Sequence, residues 1–215
     1  MVQAVAKPGV SSSYERFPQV IIRSHNLVSL HESLDSLAGS GVDELDFSDL
    51  LRSSIVLGVA AMDAYYTDVF AERFVPYLKK KGCNPKLAAL LESAGLSTEV
   101  ALNLYHTQRP FRRIRTLVET HLDRHVTQRI NVINDLFSTY RIKKLCGNTE
   151  RKVKRKNLCR EVELLVERRH KIVHDGDLNQ HGKPTQISGT WVRNRLRDVQ
   201  KLVGACDEIL QHQLG

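Results

Sequence analysis

Paired cysteines, a membrane-length apolar run and a glycine-rich phosphate loop are all missing from this chain, and each absence excludes a class of protein. Of 215 residues four are cysteine, at 83, 146, 159 and 206, and none belongs to a CxxC pair. With no hydrophobic leader ahead of them, neither a disulfide framework nor a cysteine-ligated zinc is expected, and the thiols read as reduced in a cytoplasm. No stretch approaches the ~20 apolar residues of a membrane helix. The most apolar window, IVLGVAAM, sits in a segment punctuated by polar residues, so a soluble protein with no membrane partner is expected. Neither GxGxxG nor a Walker-type string occurs, which removes the common nucleotide-cradling folds. Convincing apolar-polar alternation is absent too, as are internal repeats, so nothing argues for strands or a solenoid.

What is present points to one helical domain with a polyanionic partner. A chain of 215 residues with 41% hydrophobic residues is long enough for a sizeable core and short for two domains. Lys and Arg number 32 against 24 Asp and Glu, a formal charge of +8, which favours nucleic acid over an acidic protein or a membrane surface.

Residues 1–13, MVQAVAKPGVSSS, read as a flexible arm, because a Pro-Gly pair and a serine run break any periodic pattern; residues 14–215 then form the domain. Apolar positions from Phe17 to Leu37 recur at helical spacing and stop at Gly39-Ser-Gly41. A longer helix starts near Ser48 or Asp49 and ends at Lys79-Lys80-Lys81 with Gly82 beyond, acids at its positive end and cations at its negative end. Its middle, SSIVLGVAAMDAYYTDVF, is apolar on most sides, which demands neighbours around nearly its whole circumference. Residues 84–107 suggest one or two short helices split at Gly95, with Ser97 or Thr98 capping the restart. Helical spacing resumes from Phe111 to Phe137, with a possible break near His125. After Tyr140 comes a basic connector, RIKKLCGNTERKVKRKNLCR, whose plain reading is a solvated face. Leu158, Val162, Leu165, Val166, Ile172 and Val173 then form an apolar stripe that runs to Gly176. A long polar loop, GDLNQHGKPTQISGT, follows and is placed to cover a site. A last helix carries Val192, Leu196, Val199, Val203, Cys206 and Leu210. The fold class is therefore all-α, a single-domain helical bundle with long central helices.

Near the end of the striped helix stands ERRHKIVHDGD, residues 167–177. Arg169 followed by His170 and, five positions after the arginine, His174 resembles the R-x4-H signature of the HEPN superfamily of RNA-cleaving helical proteins. The IVHDGD ending looks like the RiboL-PSP branch, and LRSSIVLGVAAMDAYYTDVF is similar to the early helix of that family, where an acid often stands at the place of Asp63. The likeness spans roughly residues 48–210, and only the motif is sharp.

The resemblance implies a metal-independent endoribonuclease without a cofactor, in which the 2′-hydroxyl of the substrate attacks the adjacent phosphate. The residue types suit that chemistry. An imidazole, with an ordinary pKa near ~6.5, exchanges protons with the 2′-hydroxyl or the leaving oxygen, a contribution of about 10²- to 10⁴-fold; that role falls to His174. A guanidinium holds two oxygens of the phosphate as its charge builds, and that role falls to Arg169. Five residues on a helix turn a side chain by about 140°, so Arg169 and His174 do not share one stripe of an unbroken helix. In the family two protomers bring their motifs together, which implies a homodimer here. His170, four before His174, is placed to orient the imidazole or touch phosphate, or else to be a surface histidine. Asp63 is placed to pair with Arg169, or else faces solvent or pairs elsewhere. Arg168, Lys171, Lys152 and Arg155 are candidate RNA contacts, with plain solvation as the other reading of each. The family role that goes with this is a toxin or phage-defence effector with a cognate antitoxin or defence partner.

Competing chemistries carry less. His170 with His174, or His121 with His125, have the i, i+4 spacing of a helical metal pair, and Asp177 would be a third ligand, but neither pair has the Glu of HExxH. No cysteine lies near the motif in sequence to serve as a nucleophile. A non-catalytic helical module that binds RNA or protein remains the alternative from another class.

Overall fold

The most apolar stretch of the sequence becomes the longest helix, α2 (Ser48–Lys81), flanked by α1 (Ser12–Ala38). The structure, a computed structural model, describes residues 11–38, 46–124 and 127–214. Along the chain follow α3 (Pro85–Ser93), α4 (Thr98–Leu104), α5 (Pro110–Asp123), α6 (Ile130–Ser138), α7 (Leu145–Val153), α8 (Leu158–Asp175) and α9 (Gly189–Leu214). Among the described residues the one extended pairing is an isolated bridge between Leu178 and Pro184.

Helix α2 is wrapped as its composition demands: α1, α5, α8 and α9 all pack on it, and Leu51, Ile55, Val59, Met62, Tyr66 and Phe70 are fully buried. Its lower half continues as an aromatic ladder, Tyr66 and Phe70 meeting Phe137 edge-on and Phe70 stacking on Tyr140 at 4.4 Å. The Tyr140 hydroxyl donates to the Phe70 carbonyl at 2.8 Å, which satisfies the one polar atom of a buried ring. The close approach of α2 to α9 uses Gly58, where an added Cβ would overlap Leu196 Cδ2 inside the core. Gly58→Ala is accordingly expected to destabilise by about 1–3 kcal/mol through overpacking, lowering Tm by about 2–4 °C per kcal/mol in a chain of this size, as a thermal melt would read.

The ends obey local chemistry. Gly82 closes α2 with φ +69°, Ser97 Oγ accepts from the Val100 N–H at the start of α4, and Pro110 opens α5 at its first turn. Two expectations need correction. The serine run is not part of a flexible arm: Ser11 Oγ donates to the buried Asp207 at 2.6 Å, and Ser12 and Ser13 both bond Glu72, so these residues anchor and begin α1. Residues 1–10 of that arm, the Gly39-Ser-Gly41 stop and His125 lie outside the described residues. The basic connector is more than a link between helices, since it contains α7, whose Leu145, Cys146 and Thr149 are buried while Arg151 and Lys152 face out.

One pole of the molecule collects the C-terminal end of α8 with the N-terminal ends of α2 and α9, because α8 runs antiparallel to α2. At that pole the sequence motif is displayed.

Candidate functional site

Helix α8 is unbroken through the whole motif. Leu158, Val162, Leu165 and Val166 bury its inner stripe, and Gly176 ends it in the left-handed region at φ +61°. The Asp177 N–H reaches back to the Lys171 carbonyl at 3.1 Å. Asp177 itself takes φ +59°, a conformation that aspartate tolerates better than most residues. Two left-handed residues in succession turn its carboxylate in beneath the helix end.

There Asp177, 1% exposed, meets two guanidiniums. Arg52 Nε on α2 donates to Oδ2 at 2.9 Å, and Arg168 Nη2 on α8 donates to the same oxygen at 2.7 Å. Both arginines also donate to the Thr185 carbonyl at 2.9 Å, while the Thr185 N–H returns to the Asp177 carbonyl at 2.8 Å. The loop after the motif is thus strapped to α2 and α8, folded back on itself by the Asn179 N–H to Lys183 carbonyl bond. It borders a cleft of about 980 Å³, into which Lys171, Glu167, Leu164, His31 and Trp191 project.

Around α8 the motif residues fan out. Taking Arg169 as origin, Val173 lies at about 40°, His170 at about 100° and His174 at about 140°. Arg169 continues the line of the buried stripe beyond its last core residue and is half-buried, and its side chain makes no ion pair or hydrogen bond among the described residues. His170 and His174 are exposed, one turn apart, with ring centroids 4.4 Å from each other and planes tilted by 42°. Between the cation and the imidazoles, Val173 leaves 48% of its surface open, and Leu178 just past the helix leaves 52%.

The other expected site residues are used differently. Asp63 does not pair with Arg169: its carboxylate accepts from the Thr127 N–H at 3.0 Å, from the Thr127 hydroxyl, and from Gln128 Nε2 at 3.1 Å. It fastens the segment between α5 and α6 to α2, a satisfied polar role that outcompetes an exposed ion pair. Arg168 is no free phosphate contact, being committed to Asp177 and to the Thr185 and Gln186 carbonyls. Arg155 holds the buried Asp198 at 2.7 Å, and that carboxylate, in turn, keeps its guanidinium charged above its ordinary range. Lys152 spans to Glu208 at 2.8 Å on the surface. Lys171 alone of the four is exposed with no ion pair among the described residues.

The alternative chemistries fare as follows. Asp177, the third ligand a His170–His174 metal pair would need, is occupied by two arginines, and among the described residues no three His, Cys, Asp or Glu side chains are grouped to hold a metal ion. The thiol on the motif helix, Cys159, is pushed up to about 12 by burial first and by Glu150 second, so it stays protonated at neutral pH. No helix among the described residues is long and apolar enough to cross a membrane.

Arg52 and the whole of the Asp177 strap escape a motif reading. The signal was there in part: an arginine at the start of an apolar run needs a counter-charge, and Asp177 is one of two acids flanking Gly176.

Among known families, the RiboL-PSP-HEPN model matches residues 21–212 of the chain. No curated protein and no solved structure matches it.

Proposed function

The chain belongs to the RiboL-PSP-HEPN family, and on that premise we propose that it is a metal-independent endoribonuclease whose active cleft forms between two copies of the chain. The observation that carries the reading is the end of α8, where an unpaired Arg169 and the exposed His170–His174 pair are held on one rigid helix. In the proposed reaction an imidazole removes the 2′-hydroxyl proton, O2′ bonds to phosphorus, the bond to O5′ breaks, and O5′ takes a proton from a second imidazole. The products are a 2′,3′-cyclic phosphate and a 5′-hydroxyl. Arg169 holds the non-bridging oxygens as charge accumulates on the five-coordinate phosphorus.

One protomer presents these groups about 140° apart around the helix, too divergent to clasp a single phosphate. A two-fold partner laid over the sector from Arg169 to His174 would cover Val173, exposed at its middle, and supply the second histidine as acid to the first as base. Asp63 belongs to the scaffold in this reading, and Lys171 at the edge of the neighbouring cleft contacts the strand. The biological setting that accompanies it, a cytoplasmic toxin or antiviral effector held by a cognate partner, comes from the family alone.

The test is incubation of the purified chain with RNA in the presence of a chelator. Cleavage that persists and leaves cyclic-phosphate ends is the expected result. Intact RNA would favour the non-catalytic binding module, and cleavage lost to the chelator a metal-dependent hydrolase. For the interface, Val173→Glu is expected to yield a monomer by sedimentation equilibrium with unchanged helicity and no cleavage; full activity in that monomer would remove the dimer from the proposal.

A further inference from the structure

A cluster of basic residues free to meet a polyanion lies at the other end of α2 from the motif. Lys79 Nζ sits 5.0 Å over the Phe111 ring, so the last turn of α2 and the first of α5 meet there. Counting from Arg52 at about 1.5 Å per residue, this pole is about 40 Å from the strap beside the motif. Here α4 and the first half of α5 line a groove of about 630 Å³.

The groove has an apolar floor of Val100, Leu104 and Leu117 and a wall of Arg109, Arg112 and Arg113. Arg112 and Arg113 stand in the first turn of α5 and Arg109 is its N-cap residue, and all three line the same groove. All three are exposed, and none of their side chains makes an ion pair or hydrogen bond among the described residues. By contrast Arg115, on another side of the helix, is neutralised by Glu119 at 2.7 Å. At the tip Tyr105 is 88% exposed, its ring edge-to-face with His106 at 5.6 Å. An aromatic ring that open contributes little to folding; following Leu104 of the groove floor and four residues before Arg109, it offers a stacking platform at the end of a phosphate track.

We propose that this groove between α4 and α5 is a second, non-catalytic binding site for single-stranded RNA, with the guanidiniums on successive phosphates and Tyr105 under an unpaired base. That the strand is RNA rests on the ribonuclease reading above. The site gives three exposed guanidiniums a common partner, whereas Arg155 and Lys152, in the basic segment nearer the motif in sequence, are spent on Asp198 and Glu208. A strand held here and cut at the motif must run the length of α2, so the groove selects for extended substrates over short ones.

The experiment is fluorescence anisotropy with a labelled single-stranded oligoribonucleotide whose 2′-hydroxyls are all methylated, so that it binds without supplying an attacking group. Across a salt titration, the Arg109→Gln, Arg112→Gln, Arg113→Gln triple variant is expected to bind at least tenfold more weakly. Its slope of log affinity on log salt should fall by about two, at roughly 0.7 per phosphate contact on a single strand. Tyr105→Ala is expected to weaken binding about fivefold or more with the slope unchanged. Circular dichroism checks the fold, and if the triple variant does not fold, Arg112→Gln alone is read for a slope change of about 0.7. Wild-type affinity and slope in the arginine variants would overturn the proposal. So would a wild-type chain that ignores the oligonucleotide and captures polyglutamate, the result for an acidic protein partner. Because the methylated strand is never cut, failure of this site and failure of the ribonuclease reading are separate results.

Discussion

His174→Ala is expected to lower RNA cleavage by about 10²- to 10⁴-fold, the span over which a positioned proton donor or acceptor acts. Binding of a 2′-methylated strand should change by no more than a few-fold, because an exposed imidazole at a helix end gives up little when RNA is merely held. Arg169→Ala is expected to lose a comparable factor, and Arg169→Lys to recover only part of it: an ammonium keeps the charge but not the planar fork that grips two phosphate oxygens. His170→Ala is the discriminating variant. Its ring lies 4.4 Å from that of His174, so a positioning role predicts a smaller loss together with a shifted pH-rate profile, whereas a surface histidine predicts no change in either. Single-turnover cleavage of a labelled strand measures all four. Cleavage by His174→Ala at the wild-type rate would remove His174 from the chemistry.

The features of this site differ in how far sequence exposed them, and the difference is one of range. The motif helix was legible because its evidence is local: a stripe at three and four residues, an acid in the first turn, and a glycine whose left-handed φ of +61° ends the helix where the pattern stops. The same holds for α2 and α9, whose apolar positions are the buried ones. Helix α7 was hidden because its few buried residues stand among lysines and its ends use left-handed Lys144 and Lys154 rather than glycine. Asp63 went astray for another reason. That a charged group in an apolar helix must be paired is a sound inference, but which partner wins depends on a segment 64 residues away in sequence, Thr127 with Gln128. Arg168 shows the same limit, since nothing within the motif says that it turns toward the loop while Arg169 stays unpaired.

Asp177→Ala is expected to destabilise the fold by about 3–5 kcal/mol, the cost of removing one partner from a buried charge cluster. The reason is what remains. Arg52 and Arg168 have side chains only 9% and 19% exposed, and without the carboxylate Arg168 keeps only carbonyl oxygens while Arg52 keeps the Thr185 carbonyl, the Ser48 hydroxyl and the exposed Asp49. Against a total stability of about 5–15 kcal/mol the loss is severe, amounting to about 6–20 °C in Tm for a chain of this length. Alanine also pays for the left-handed backbone at residue 177. Asp177→Asn tolerates that conformation, keeps one acceptor oxygen and isolates the charge, so it should fall between wild type and alanine. Adding Arg52→Met and Arg168→Met to Asp177→Asn removes the stranded cations and is expected to regain stability relative to Asp177→Asn alone. Arg168→Ala separates the strap from an RNA contact: as part of the strap it lowers Tm and leaves the salt slope of RNA binding unchanged, while a phosphate contact would lower that slope by about 0.7. Cleavage should fall in every strap variant that still folds, since the turn at Gly176 and Asp177 sets the end of the helix on which His174 stands and a displacement of about 1 Å there can cost on the order of 100-fold. Thermal melts beside cleavage rates would show the two losses moving together; an Asp177→Ala protein with wild-type Tm would mean the carboxylate is not what holds the loop.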